Sequence, residues 1–195
     1  MKKYIISSAI VSLILVIGHR SADCFAQVLV NNGSVVSNLG GNIIYVNGGI
    51  SNLNGGLFEN SGSIYLTGDW GNTAGNAAFS STASGTVLLV GGNQDIEGSS
   101  VTGFYNLTLS GSGVKQLNGI DAIVKNSLDL SDRELFTGFN TAYVTSSSLG
   151  AILRTSGFVS SLGNGALVRS MAAVAPYFFP VGSSLGVARF RPVEI

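Results

Sequence analysis

The sequence predicts an all-β protein, and the favoured architecture is a parallel β-solenoid (β-helix) with coils of about 20 residues. In residues 120–131 the apolar side chains fall on alternate positions, which is typical of a strand with one buried face. The pattern returns along the chain at steps of 20, 23, 20 and 21 residues. Helical spacing of apolar residues over three turns is not seen after residue 26. The inward-facing pairs are Ile44/Val46, Ile64/Leu66, Val87/Leu89, Leu107/Leu109 and Leu128/Leu130.

Residues 1–26 have the three-part layout of a secretory signal peptide. A basic start precedes an apolar run over 4–18. Small residues lie at the positions that a signal peptidase recognises, which places the cleavage site after Ala26. The apolar run is short for a spanning helix, which needs about 20 residues, so an N-terminal membrane anchor is the less favoured alternative. Acylation of Cys24 is disfavoured because Asp23 precedes it. We expect an N-terminal signal helix, a secreted or cell-surface protein, and no membrane span in the mature chain.

The composition of residues 27–195 excludes several classes of function. The single Cys and the single His, Cys24 and His19, both lie in the predicted signal peptide. Mechanisms that need a disulfide, a thiol nucleophile or an imidazole base or ligand are therefore excluded. Seven basic and nine acidic residues give a net charge of −2, and no basic residue precedes Lys115, so nucleic-acid binding is not expected. No cofactor and no metal site is predicted.

An antiparallel sandwich or barrel is the alternative architecture for short strands separated by glycine-rich and asparagine-rich turns. The regular repeat favours the solenoid, since a sandwich has no reason to repeat every 20 residues or so. In a solenoid, Tyr45 and Tyr65 would occupy the same outward position one coil apart. Asparagines that recur at turns would form ladders in which each amide binds the next.

The organisation expected is a signal peptide over 1–26, solenoid repeats over 27–175 and a different unit over 176–195. This last segment is richer in aromatic residues, Pro and Arg. Its three prolines each lack a backbone donor and therefore suit edges and bends. We expect it to be a capping unit or the first strands of an incomplete β-sandwich.

Four phrases, taken in order, resemble a known group of proteins. They are SGSIYLTGDWGN over 61–72, GTVLLVGGNQDIEG over 85–98, FYNLTL over 104–109, and GALVR over 165–169 followed by YFFPVG over 177–182 and RPV over 191–193. Together they are similar to phrases of repetitive β-solenoid surface proteins of Bacteroidetes-type bacteria, over roughly residues 40–195.

The resemblance implies an exported, adhesin-like or gap-filling surface protein that is cargo of the type IX secretion route. Members of this group usually continue after the FPVG phrase into a β-sandwich and a C-terminal sorting domain. This chain has neither, so the resemblance implies a fragment, a truncated product or a short relative of the group. It implies no catalytic residues.

Two acidic groups are candidate sites. The carboxylates of residues 129–134 have the oxygen ligands that Ca²⁺ prefers, but Arg133 would lie among them, so a solvated corner is favoured. Asp95 and Glu97 are two residues apart and share one face of a strand. Such pairs serve glycoside hydrolysis at separations of roughly 5 to 9 Å. A solvent-facing pair that protects the sheet from aggregation is the favoured interpretation.

Aromatic, arginine and glycine-rich positions give weaker signals. An exposed indole at Asp69-Trp70 would stack on sugars, although a Trp70 that caps a coil at its corner is favoured. Arg154 and Arg169 occupy matching phrases and would form a small basic ladder, or would cover apolar surface with their stems. Gly91-Gly92-Asn93 is not a phosphate loop, because no Lys-Ser or Lys-Thr and no helix follows it.

Two hypotheses of function follow from the sequence. The first is an exported, non-enzymatic structural or adhesin-like module of the cell surface, with cell-surface proteins or extracellular polysaccharide as partners. The alternative is a carbohydrate-binding or polysaccharide-degrading β-helix protein, either a lyase or a glycoside hydrolase. A cluster that joins Asp95 and Glu97 to a Lys or Arg would favour the second.

Overall fold

The structure, a computed structural model, describes residues 28–187 and 189–195, and the predicted signal peptide lies outside these residues. The described chain is all-β and forms a parallel β-solenoid of about seven coils, as the sequence predicts. Its one short helical element is a 3-10 turn at Leu149–Ala151. No helix in the described chain is both long and apolar enough to span a membrane.

The strands of the coils follow one another in sequence order. The first three coils contain β1 (Leu29–Asn32), β2 (Val35–Asn38) and β3 (Ile43–Val46), then β4 (Ile50–Leu53), β5 (Leu57–Asn60) and β6 (Ser63–Leu66), then β7 (Trp70–Thr73) and β8 (Thr86–Leu89). The next two contain β9 (Gln94–Gly98) and β10 (Thr102–Leu109), then β11 (Lys115–Asn118) and β12 (Ala122–Asp129). The last two contain β13 (Glu134–Phe136), β14 (Thr141–Val144) and β15 (Ile152–Leu153), then β16 (Phe158–Ser160) and β17 (Ala166–Arg169).

Parallel pairing of successive coils produces the faces of the solenoid. The first sheet has seven strands in the order β1-β4-β7-β9-β11-β13-β16. The second has the order β3-β6-β8-β10-β12-β14-β17, with β15 paired to β12, and a small third sheet joins β2 to β5. Each coil adds a strand to both large sheets, so equivalent residues of neighbouring coils lie side by side.

Two long strands, β10 and β12, each cover two faces. Their register shifts between Phe104 and Asn106, and the strands continue on either side of this irregularity. The second half of β10 pairs with β8, whereas the first half of β12 pairs with β14. The amide of Gly103 donates to the carbonyl of Ala77 at 3.0 Å. The first half of β10 therefore continues the face of the solenoid that begins with the small third sheet. The coils therefore have three faces in cross-section.

The predicted inward column is confirmed. Ile44 pairs with Ile64, Ile64 with Val87, Val87 with Leu107 and Leu107 with Leu128. Leu109, Leu128 and Leu130 are fully buried. Burying such aliphatic side chains contributes roughly 1.5–3 kcal/mol each. The outward pair Tyr45 and Tyr65 is also adjacent, with ring centroids 6.4 Å apart.

Asparagine ladders lie inside the solenoid, on its buried side. Asn31 donates to the side-chain oxygen of Asn52 at 3.0 Å, and Asn52 donates to that of Asn72 at 3.2 Å. Asn52 also donates to the carbonyl of Gly56 at 2.9 Å, a backbone acceptor at the corner of the coil. Each buried amide therefore has partners within its own coil and in the next one, which removes the cost of burying an unpaired polar group.

The C-terminal segment is antiparallel, in contrast to the coils. β18 (Phe178–Phe179) pairs with β21 (Val193–Glu194), and β19 (Gly182–Ser183) pairs with β20 (Arg189–Phe190). This hairpin is seated on the last coil, where the amide of Val159 donates to the carbonyl of Pro180 at 2.8 Å. Whether the segment is a finished cap or the start of a sandwich stays a prediction.

Candidate binding site on the first sheet

Asp95 and Glu97 lie side by side on the outer surface of β9, as the alternation predicts. The side-chain amide of Asn118, one coil further on, donates to Asp95 Oδ2 at 2.8 Å and to Glu97 Oε2 at 3.5 Å. Within residues 28–187 and 189–195, no Lys or Arg makes a hydrogen bond or an ion pair with either carboxylate. The arrangement predicted for an acid–base pair with a basic companion is therefore not seen at these two residues.

The register of the first sheet brings further polar groups beside Asp95. Asp95 is paired with Gln116, and Gln116 with Phe136. These three residues form an outward column that crosses β9, β11 and β13. Glu134 lies two residues before Phe136 and therefore shares its face of the sheet.

A cavity of about 460 Å³ opens over this column. Its floor includes Asp95, Gln116, Glu134 and Phe136, and one wall is the loop at Ser184 and Leu185 between the strands of the C-terminal hairpin. The volume falls in the range of about 300–1,000 Å³ that is typical of small-molecule sites. The cavity thus lies where the solenoid and the C-terminal hairpin meet.

Glu134 joins the hairpin to the sheet. Its Oε1 accepts a hydrogen bond from Ser184 Oγ at 2.7 Å and another from Ser160 Oγ on the next coil. A carboxylate acceptor makes stronger hydrogen bonds than a neutral one, so these contacts hold the loop in place over the sheet.

Lys115 lies directly below the site, on the inner side of β11, and is fully buried. Its Nζ donates to the carbonyls of Gly91 and Ser112 at 3.0 Å each, to the side-chain oxygen of Gln94 at 2.8 Å, and to the carbonyl of Gly92. Burial, with a smaller contribution from the charge of Arg133, lowers the pKa of Lys115 to about 8. The ammonium is therefore directed inward and does not reach the cavity.

The glycine-rich corner at Gly91-Gly92 has a structural role that its sequence does not predict. Its two carbonyl oxygens form part of the cage around the Lys115 ammonium. The corner presents oxygen atoms to a cation, whereas a phosphate loop presents N–H groups to an anion.

The carboxylates of residues 129–134 do not converge. Asp129 Oδ1 accepts from the amide of Ser131 at 2.8 Å, and Asp132 forms an ion pair with Arg133. The hydrogen bond from Arg133 lowers the pKa of Asp132. In the described part of the chain no group of three or more acidic, His or Cys side chains has the geometry to hold a metal ion.

Trp70 begins β7 just after a bend and therefore lies at a corner of the coil, but the alternative of an exposed indole is wrong. Trp70 is fully buried inside the coils, where its ring stacks on that of Phe79 with centroids 5.2 Å apart. The ring centroids of Phe58 and Phe104 each lie 5.5 Å from that of Trp70. The indole Nε1 donates to Thr102 Oγ1 at 2.9 Å. The indole has no free face for a sugar.

The predicted ladder of Arg154 and Arg169 is also wrong, because their strands do not pair with each other. Arg169 pairs with Val144 and is buried, while Arg154 follows β15 and lies 3.9 Å from the centroid of the Phe190 ring. Arg169 donates to the carbonyl of Phe178 at 3.0 Å and lies 4.7 Å from the Tyr177 ring. Both arginines therefore attach the C-terminal hairpin to the solenoid.

The floor and wall of the cavity include residues that sequence reasoning missed. Gln116, Phe136 and Ser184 carry no recognisable motif, and Glu134 stands out in the sequence only as part of the carboxylate cluster over 129–134. The repeat contains one usable signal, since Asp95, Gln116 and Phe136 follow one another at about the length of one coil. No such spacing points to Ser184.

Comparisons with models of known protein families, with curated proteins and with solved structures gave no match to this chain.

Proposed function

We propose that this protein is an exported, non-enzymatic structural or adhesin-like β-solenoid module of the cell surface. The observation that carries the proposal is the stack of about seven coils whose interior is filled by side chains. Because each coil is hydrogen-bonded to the next, such a stack is a stiff body with extended, regularly spaced outer surfaces. Those surfaces suit a spacer or an adhesive element.

Two features of the sequence support export and a non-catalytic role. Residues 1–26 have the layout of a signal peptide, and residues 27–195 contain neither Cys nor His. An exported protein without disulfides depends on packing and hydrogen bonding for its stability. The aliphatic columns and the asparagine ladders meet that need.

The proposal is tested in the cells that make the protein, with an antibody raised against residues 28–195. We expect the protein in the outer-surface fraction, and degraded when intact cells are treated with protease. A matched variant with Leu13→Arg and Leu15→Arg interrupts the apolar run of the signal peptide and should remain inside. Wild-type protein that stays in the cytoplasm with its first 26 residues attached would overturn the proposal.

A further inference from the structure

We propose that the cavity between the first sheet and the C-terminal hairpin binds a saccharide that carries no acidic group. This inference rests on the proposed adhesive function and adds to it a binding site and a class of ligand. It is carried by the unused hydrogen-bonding capacity around the cavity, by its partly apolar floor and by the sign of its charge.

The polar groups at the cavity have capacity that the fold does not use. Among the described residues, hydrogen bonds engage Oδ2 of Asp95 and Oε1 of Glu134 but neither of the other carboxylate oxygens. The side-chain amide of Gln116 makes no hydrogen bond with the described chain. In contrast, the interior amide of Asn52 is engaged on both its oxygen and its nitrogen. The cavity therefore offers two free carboxylate acceptors and one free amide.

This set of groups fits sugar hydroxyls. A hydroxyl both donates and accepts, so it can donate to Asp95 Oδ1 or Glu134 Oε2 while it accepts from the Gln116 amide. Phe136 and Leu185 add apolar surface to the cavity, against which the C–H face of a sugar ring can pack. A few directed polar groups within an apolar lining are the usual composition of a ligand pocket.

The charge of the cavity selects against anions. Among the residues that the structure describes, Asp95 and Glu134 both line it, and no Lys or Arg does so. Two basic residues are adjacent in sequence to lining residues, and both are engaged elsewhere. The Lys115 ammonium donates all its hydrogen bonds to oxygens on the inner side. The Arg133 guanidinium forms an ion pair with Asp132. A uronate, a sulfated sugar or a phosphate would meet two like charges without a cation to offset them.

The floor of the site is preorganised, because Asp95, Gln116, Glu134 and Phe136 belong to hydrogen-bonded strands of three successive coils. Binding therefore does not require these strands to become ordered, which is a main cost of association. The loop at Ser184 is held by its hydrogen bond to Glu134. The ligand would lie across the strands, in contact with three coils at once.

Isothermal titration calorimetry on the purified protein tests the proposal. The probes are cellohexaose, xylohexaose, mannohexaose and a chito-oligosaccharide hexamer, with hexagalacturonate as the acidic comparison. We expect binding of at least one of the four and none of hexagalacturonate. Loss of one polar contact in Gln116→Ala should weaken binding by about threefold to tenfold. Gln116→Trp should abolish it by filling the cavity.

Matched variants on other faces control for general effects. Asn126→Ala removes an exposed amide from β12, and Thr108→Trp adds an indole to the outer side of β10. Both should bind the saccharide as the wild type does, with circular dichroism spectra unchanged in all four variants. No binding of any of the four probes, tighter binding of hexagalacturonate, or equal affinity in wild type and Gln116→Trp would overturn the inference. A surface-exposed protein that fails this test would leave the proposed function standing, whereas a cytoplasmic one would overturn the function itself.

Discussion

The ammonium nitrogen of Lys115 lies 2.8 Å from the side-chain oxygen of Gln94, in a corner of the solenoid where both residues are buried. The two residues are paired in the register of β11 and β9, so the first sheet itself brings their side chains together. Gln94 in turn accepts from the amide of Gly91 at 2.7 Å and donates to the carbonyl of Leu66 at 3.1 Å. A single buried charge is thus part of a network that joins three coils.

The first prediction concerns pH. Burial lowers the pKa of Lys115 from 10.5 to about 8, so between these values the unfolded chain holds a proton that the folded protein has released. The free energy of unfolding should therefore rise with pH across this window, by at most about 3 kcal/mol. The oxygen cage favours the charged form and makes that figure an upper bound. Urea denaturation at successive pH values measures the effect.

Lys115→Met is the control for the pH prediction, because it keeps a long side chain without the titrating group. Its urea midpoint should rise less steeply over the same window. Tyr177, whose pKa is lowered by hydrogen bonds from the amides of Ala172 and Ala173, adds a contribution of the same sign to both proteins. Equal slopes in wild type and Lys115→Met would contradict the prediction.

The second prediction concerns the aliphatic column. Leu109→Ala or Leu128→Ala removes a fully buried side chain and leaves a cavity between coils, so each should lower the free energy of unfolding by about 2–5 kcal/mol. Leu39→Ala, at an exposed turn, serves as the matched control and should change it little. A loss below about 1 kcal/mol at both buried sites would be incompatible with the register described above.

The third prediction concerns the interior asparagine ladder. Asn52→Ala removes the shorter hydrogen bond of the Asn31 amide and the shorter one of the Gly56 carbonyl, both of them buried. Each group keeps only a longer contact, from Asn31 to the Leu57 carbonyl at 3.4 Å and from Asn76 to the Gly56 carbonyl at 3.3 Å. The expected loss in the free energy of unfolding is about 1–3 kcal/mol. Asn126→Ala breaks the exposed hydrogen bond to Asn106 and should cost much less, since water replaces the partner. Equal losses would show that burial does not strengthen the ladder.

The fourth prediction concerns the single tryptophan. Because Trp70 is enclosed by Phe58, Phe79 and Phe104, its fluorescence should be blue-shifted and poorly quenched by acrylamide. Both properties should change to those of an exposed indole in urea. Emission typical of a solvated indole in the native protein would place Trp70 outside the core.

The fifth prediction concerns the C-terminal hairpin. Its strands have two residues each, and Phe190 and Val193 are exposed by 40% and 47%. Short strands with little buried apolar surface open readily, so amides of 177–187 and 189–193 should exchange with deuterium faster than those of 105–130. Equal protection in a monomer would show that the hairpin is a finished cap. Its attachment through Arg169 and Tyr177 would then be as stable as the coils.

The alternation of apolar residues is enough to determine the fold class and much of the register. Ile64, Val87, Leu107 and Leu128 could be aligned from the repeat alone, because a strand has a period of two and each coil returns the chain to the same face. The neighbouring positions of Tyr45 and Tyr65 follow from the same argument.

Contacts at the corners and across faces were decided only by the tertiary structure. Alternation places Lys115 and Trp70 relative to their own strands, but it does not show that a corner closes into an oxygen cage or that a corner tryptophan joins an aromatic core. The cavity likewise depends on a hairpin that brings Ser184 to Glu134, 50 residues away. The physical reason is that periodicity records which side of a strand is buried, while the meeting of distant side chains depends on the bends between strands and on how the ends of the solenoid are covered.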